Sequence, residues 1–178
     1  YLFVHNQKVK SIEEQLKKDG VTHFVHNTIK YVPRHRNRGG MREVETPSVS
    51  GLIFLQGAPE TLQDYLNKNV NSYKLCKNCS TGKVATIPCN QMEPFMRVAE
   101  TEPERLRFLL RPFVYYSKNR TLLRIVTGEY AGLEGYVIRI ARDRKLVMDV
   151  GGMAVALSGV HAERFEEVNK NEADKKER

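Results

Sequence analysis

Apolar positions along the first hundred residues switch between a period of two and a period near 3.6. Tyr1-Leu2-Phe3-Val4 opens as a β-rich run, and Val9, Ile12 and Leu16 then stand at i, i+3 and i+7, one stripe of a helix. Ser11 with Glu14 has the spacing of a capping box, and Gly20 is placed to end this helix. His23 to Pro33 reads as one strand, Met41 to Thr46 as a returning arm, and Gly51-Leu52-Ile53-Phe54-Leu55 as a buried strand. Leu62, Tyr65 and Leu66 mark a second helix entered through Pro59. Short strands are expected at Tyr73 to Leu75 and Val84 to Ile87. Asn90, with Glu93 three residues on, is placed to cap a third helix carrying Phe95, Met96 and Ala99. The order βαββαββα, helices against an antiparallel sheet, predicts an α+β fold.

The pattern changes after Val98. Ala99 to Arg107 has no apolar stripe until Leu106 and reads as a linker or an interdomain helix, and Phe108 to Tyr116 as an apolar strap. From Thr121 on the signal is β throughout. Leu122 to Val126, Tyr136 to Ile140, Lys145 to Val150 and Met153 to Leu157 are four short strands at the spacing of a small barrel. Leu123, Ile125, Val137, Ile140, Val147, Val155 and Leu157 are its expected core. The charged end of the chain is expected to be disordered.

Composition narrows the functional classes. The 178 residues include 29 Lys and Arg against 21 Asp and Glu, a net charge of +8, which favours a polyanionic partner through counterion release. No 18-residue apolar run exists to span a bilayer. The chain starts at Tyr1 without a basic-then-apolar leader, so a trimmed start or an excised piece is expected, with a cytoplasmic location as the default.

Cys76, Cys79 and Cys89 are too few for a disulfide framework. Cys76 and Cys79 have the spacing of half a zinc site, but only a distant His23, His26 or His35 would supply a fourth ligand. They read as reduced, partly buried side chains, and no metal or other cofactor is expected. No nucleophile elbow, phosphate-binding Gly-Lys loop or metal-spaced histidine pair is present, so the expectation is a binding protein and not an enzyme.

Two features carry the functional reading. Lys30, Arg34, Arg36, Arg38 and Arg42 put five cations into 13 residues around Gly39-Gly40, a hairpin suited to a phosphate chain. The string Val126-Thr127-Gly128-Glu129-Tyr130-Ala131-Gly132-Leu133-Glu134-Gly135-Tyr136-Val137 sets three glycines before a β run, where the chain must reverse tightly and pass close to a neighbour. This string resembles the KOW motif, with Gly135 as its central glycine and Gly128 and Gly132 as the earlier ones.

The N-terminal half, with Tyr31-Val32-Pro33-Arg34, the basic turn, Pro47-Ser48-Val49-Ser50-Gly51-Leu52-Ile53-Phe54-Leu55 and Ile87-Pro88 before a Met/Phe helix, resembles the NusG N-terminal (NGN) domain. The chain as a whole is similar to NusG-like elongation and antitermination factors, closest in kind to the specialised UpxY or RfaH paralogues. The resemblance implies an NGN antiparallel sheet with packed helices over 1–100, a linker over 101–120, an SH3-like KOW β-barrel over 121–169 and a charged tail over 170–178. It implies a monomer that grips the clamp helices of the largest RNA polymerase subunit. Val49, Leu52, Phe95 and Met96 would form the grip, with the basic turn on DNA or nascent RNA. The KOW domain would recruit a ribosomal protein or Rho. The family's aromatic, Pro and Tyr around the Gly are Val49, Ser50 and Leu52 here, and Tyr1 or Phe3 stands near its early Trp, a divergence expected of a paralogue. The rival readings are a ribosome-associated KOW protein binding RNA and a thiol or zinc protein using the three cysteines.

Overall fold

The structure, a computed structural model, describes residues 1–34, 40–70, 72–78 and 81–168. Arg36 and Arg38 of the basic turn, with His35, Cys79 and the charged end, lie outside the described residues. The fold is mixed α+β with antiparallel sheets, and the chain divides into two compact units, Tyr1–Thr86 and Ile87–Arg178. None of the described helices is long and apolar enough to cross a membrane.

In the first unit, β1 (Leu2–Phe3), β5 (Leu52–Leu55) and β2 (His23–Phe24) form a three-stranded sheet with β5 in the middle. Helices α1 (Val9–Lys18) and α2 (Pro59–Asn69) cover one face of it. Their stripes Val9, Ile12, Leu16 and Leu62, Leu66 pack with Leu2, Ile53 and Leu75. Burying each such aliphatic side chain is worth about 1.5–3 kcal/mol, which makes this stripe the main cohesion of the unit. The expected capping box of α1 is absent. The helix already begins at Val9, so Ser11 lies inside it and its hydroxyl donates back to the Lys8 carbonyl at 3.0 Å.

His23 to Pro33 is not one strand. β2 stops at Phe24, and β3 (Asn27–Pro33) pairs with β4 (Met41–Pro47) as a separate two-stranded ribbon. The break is made at His26, which is 4% exposed: its carbonyl accepts from the Ser48 amide at 2.9 Å and hydroxyl at 2.8 Å, and its imidazole Nδ1 meets the same hydroxyl. The expected strands at Tyr73 to Leu75 and Val84 to Ile87 reduce to single bridges, Leu2 with Leu75 and Lys77 with Val84.

The second unit begins with α3 (Cys89–Thr101). Its N-cap is Pro88, whose carbonyl accepts from the Gln91 and Met92 amides at 3.0 Å, so Asn90 falls inside the first turn and does not cap. The stretch expected as a linker carries β6 (Leu106–Pro112) and the four-residue α4 (Phe113–Tyr116). Then come β7 (Leu123–Ile125), β8 (Glu134–Ile140), β9 (Asp143–Val150), β10 (Met153–Leu157) and β11 (Phe165–Glu167). All six strands join one antiparallel sheet in the order β11-β7-β8-β9-β10-β6, and among the described residues no ladder joins β11 to β6 to close it. Every residue of Ala154 to Leu157 is buried, so both faces of β10 are covered. On one face Ile138, Val147, Ala154 and Ala156 pack under Leu109, Phe113 and Tyr116. Of the expected core, Ile125, Val147, Val155 and Leu157 are buried, and Leu123, Val137 and Ile140 are half-buried.

Candidate interaction surfaces

Side chains alternate across a strand, so Leu52 and Phe54 of β5 point away from the helices that Ile53 packs against. Phe3 pairs across from Leu52 and Phe24 from Phe54, which puts all four on one face. Tyr1 joins them, 6.2 Å from both Phe3 and Phe54, and Phe24 lies 6.2 Å from Phe54. These separations are those of interacting rings, so four aromatic side chains form a connected cluster on the face of the sheet opposite α1 and α2. Phe3 is 46% exposed, whereas Leu52 and Phe54 are buried. Val49 is half-buried just before the Gly51 turn. Gly51 has φ +76°, and a Cβ there would drive into the Val4 carbonyl, so no other residue fits this approach to the strand.

The expected four-residue grip therefore divides. Val49 and Leu52 belong to the first unit, and Phe95 and Met96 to the second. Phe95 is a core residue at 1% exposure, edge-on to Phe108 at 5.9 Å, and Met96 is half-buried. Phe54, expected within a buried strand, is buried, whereas Phe3, which stands near the family's early Trp, is the exposed ring of the cluster. The two-residue period of Tyr1/Phe3 and Leu52/Phe54 was the signal that would have found the patch.

The β3–β4 ribbon is two-faced. Its register sets Lys30 opposite Val44 and Val32 opposite Arg42, while Arg34 donates its amide to the Gly40 carbonyl at 3.0 Å. Lys30, Arg34 and Arg42 thus share one face, all three exposed. The opposite face carries Ile29, Tyr31 and Met41, each more than half exposed, beside Glu43 and Glu45. A hydrogen bond to Glu43 holds the Tyr31 phenol above its ordinary pKa. Such a strip of cations on one side of a projecting ribbon can follow a phosphate backbone without base contacts.

The three glycines of the loop after β7 have distinct local reasons. Gly128 and Gly132 have φ +70° and +91°, in the left-handed region. Gly132 donates to the Ile125 carbonyl at 2.8 Å, and Ile125 to the Leu133 carbonyl at 2.9 Å, which locks the reversal. Gly135, buried in β8, leaves no room for a Cβ against the Val147 carbonyl. Arg124 then ties three strands, its guanidinium 2.9 Å from Glu134 on β8 and 3.1 Å from Glu166 on β11.

Cys76 is half-buried and Cys89 exposed, one in each unit, and both are free thiols. Burial pushes the Cys76 thiol up, which makes it a poor nucleophile at neutral pH. Among the described residues no cluster of three His, Cys, Asp or Glu side chains could hold a metal ion. A cleft of about 220 Å³ beside α3 is lined by Asn90, Gln91, Glu134 and Asp149 among apolar neighbours. No family model, curated protein or solved structure matches this chain.

Proposed function

We propose that this chain is a NusG-like transcription elongation or antitermination regulator. In this reading the first unit is an NGN-type module and the strands β7 to β11 an SH3-like KOW module. The aromatic sheet face takes the clamp helices of RNA polymerase, the basic face of the β3–β4 ribbon lies along DNA, and the KOW module recruits a second partner. The observation that supports it is the aromatic cluster of Tyr1, Phe3, Phe24 and Phe54 on the sheet face opposite α1 and α2, with Phe3 46% exposed at its edge. A helix pair presenting an apolar stripe is the natural occupant of such a surface. Relative to the grip expected from sequence, Val49 stays as a rim residue and the buried Leu52 supports it, while Phe95 and Met96, in the second unit, are left out of this reading.

Capture of purified bacterial RNA polymerase on the immobilised full chain tests the reading. Phe3→Asp and Val49→Asp alter surface positions and leave the helix-facing core intact. Each should weaken retention, Phe3→Asp by roughly 30-fold, the effect of a hot-spot loss of about 2 kcal/mol. Failure of the unaltered chain to retain polymerase, or retention indifferent to both substitutions, overturns it.

A further inference from the structure

A second surface lies wholly within the C-terminal unit and uses none of the residues of the proposed polymerase and DNA surfaces. From Arg105 to Gly128 the sequence has six cations and no Asp or Glu. Two of the six are spent on structure: Arg105 pairs with Glu102 at 2.9 Å, and Arg124 ties three strands. Arg107, Arg111, Lys118 and Arg120 are exposed and, among the described residues, none pairs with a carboxylate.

The fold sets two of these cations, Arg111 and Arg120, beside an exposed ring and its neighbour. β6 is the outer strand of the sheet, and along it three residues, 109–111, oppose the single Ala154. This bulge turns Leu110 fully into solvent, a position that folding alone does not reward. In α4 the i, i+3 pair Phe113 and Tyr116 packs onto the sheet, and Val114 and Tyr115 are left outside at 67% and 52% exposure. The Arg111 guanidinium lies over the Tyr115 ring, 5.4 Å from its centre, and Tyr115 stands edge-on to Tyr116 at 5.2 Å. Arg120 continues the line by donating to the Tyr116 carbonyl at 2.8 Å. The result is a contiguous run of the Arg111 guanidinium and the Tyr115 and Tyr116 rings, with the Arg120 guanidinium held on the Tyr116 backbone.

We infer that this strap binds single-stranded RNA. The four unpaired cations match a phosphate chain, and an exposed tyrosine stacked on arginine is a platform for an unpaired base, which a duplex does not offer. The Tyr115 ring under Arg111 carries a hydroxyl, and the exposed Asn119 follows Lys118 and precedes Arg120 along the chain; both offer uncharged hydrogen-bonding groups, the kind that read a ribose 2′-hydroxyl. The occupant is therefore RNA and not the corresponding DNA.

The test is fluorescence anisotropy of the full chain with a labelled mixed-sequence single-stranded RNA of about a dozen nucleotides, a length within the range such sites cover. No polymerase is present, so the outcome is independent of the polymerase reading. Tyr115→Ala should weaken binding by about 5- to 150-fold, the range for one lost base stack, and Tyr115→Phe should keep the stack but lose part of the preference for RNA over DNA. The double variant Arg111→Gln, Arg120→Gln should reduce the salt slope by about 1.4, at about 0.7 for each lost phosphate contact. All variants sit on the surface, and an unchanged far-ultraviolet circular dichroism spectrum verifies their fold. Absence of RNA binding, affinity indifferent to Tyr115→Ala, or equal affinity for DNA of the same sequence overturns the inference.

Discussion

The β3–β4 and β8–β9 ribbons are both antiparallel and continuous in register, over seven and five residue pairs, but they are placed differently. β8–β9 lies inside the six-stranded sheet, with β7 on one side and β10 on the other. Among the described residues β3–β4 has no third strand. In the inner ribbon nearly every side chain meets a neighbour, so residue choice is dictated by packing and by close backbone approach. The outer ribbon is free of that demand and sorts its residues by face, three cations on one and three large apolar side chains on the other. Substitutions should therefore cost stability in the inner ribbon and partners in the outer one. Charge changes at Lys30, Arg34 and Arg42 belong to the class of surface substitutions worth less than about 0.5 kcal/mol.

The largest expected effect breaks the inner ribbon. Gly135→Ala forces a Cβ into the Val147 carbonyl, a backbone atom that cannot rotate aside. Moving β8 off β9 to make room should cost about 3 kcal/mol or more, at the upper end of overpacking. Chemical denaturation of the full chain measures it, and a loss below about 1 kcal/mol would mean that the β8–β9 contact is slack.

That glycine also marks what could be read from the sequence. Helix stripes such as Val9/Ile12/Leu16 were legible because their period states which face is buried, and the four C-terminal strands because turn residues bound them. β6 was not legible, since Leu106 to Pro112 has no clear alternation and is a strand through its partner β10, more than 40 residues later. The break between β2 and β3 was hidden for the same reason: it depends on His26 meeting Ser48. Both proposed capping boxes failed because spacing shows that a cap is possible but not where the first turn begins. The burial of Phe54 was legible from its apolar strand, but the exposure of Phe3 was not, as alternation alone does not say which side of a sheet the helices take. The strap was legible as an apolar segment, but its cationic character was not, because the run after Glu104 was read for its apolar content and not for its lack of acids.

A smaller effect has the opposite sign. The two-residue turn joining β8 to β9 has positive φ at both central positions, +51° at Ala141 and +68° at Arg142. A turn of this hand suits Asn-Gly, and a side chain with a Cβ is strained in it. The double substitution Ala141→Asn, Arg142→Gly should stabilise the protein by about 1 kcal/mol, read as a rise in the denaturation midpoint. A fall would show that the turn is held by contacts of Ala141 or Arg142 themselves.

The smallest effect sharpens the comparison through two tyrosines that are perturbed for different reasons. Tyr31, exposed on the outer ribbon, is raised above 10.0 first by its hydrogen bond to Glu43 and then by that carboxylate's charge. Tyr130, buried in the second unit, is pushed up to about 12, first by desolvation and then by its hydrogen bond to Glu102. Both folded-state values lie above the unfolded value of 10.0, so each phenol's contribution to stability is fully present below pH 10.0 and is lost as the pH rises through the folded pKa, near 12 for Tyr130. Ultraviolet titration of phenolate should show the difference. Glu43→Gln should return Tyr31 toward 10.0 with no change at Tyr130, because one carboxylate supplies the outer shift. Glu102→Gln should lower the Tyr130 value only in part, because burial, its larger cause, remains. Full return of Tyr130 to 10.0 in that variant would mean that the inner tyrosine is governed, like the outer one, by a single neighbour.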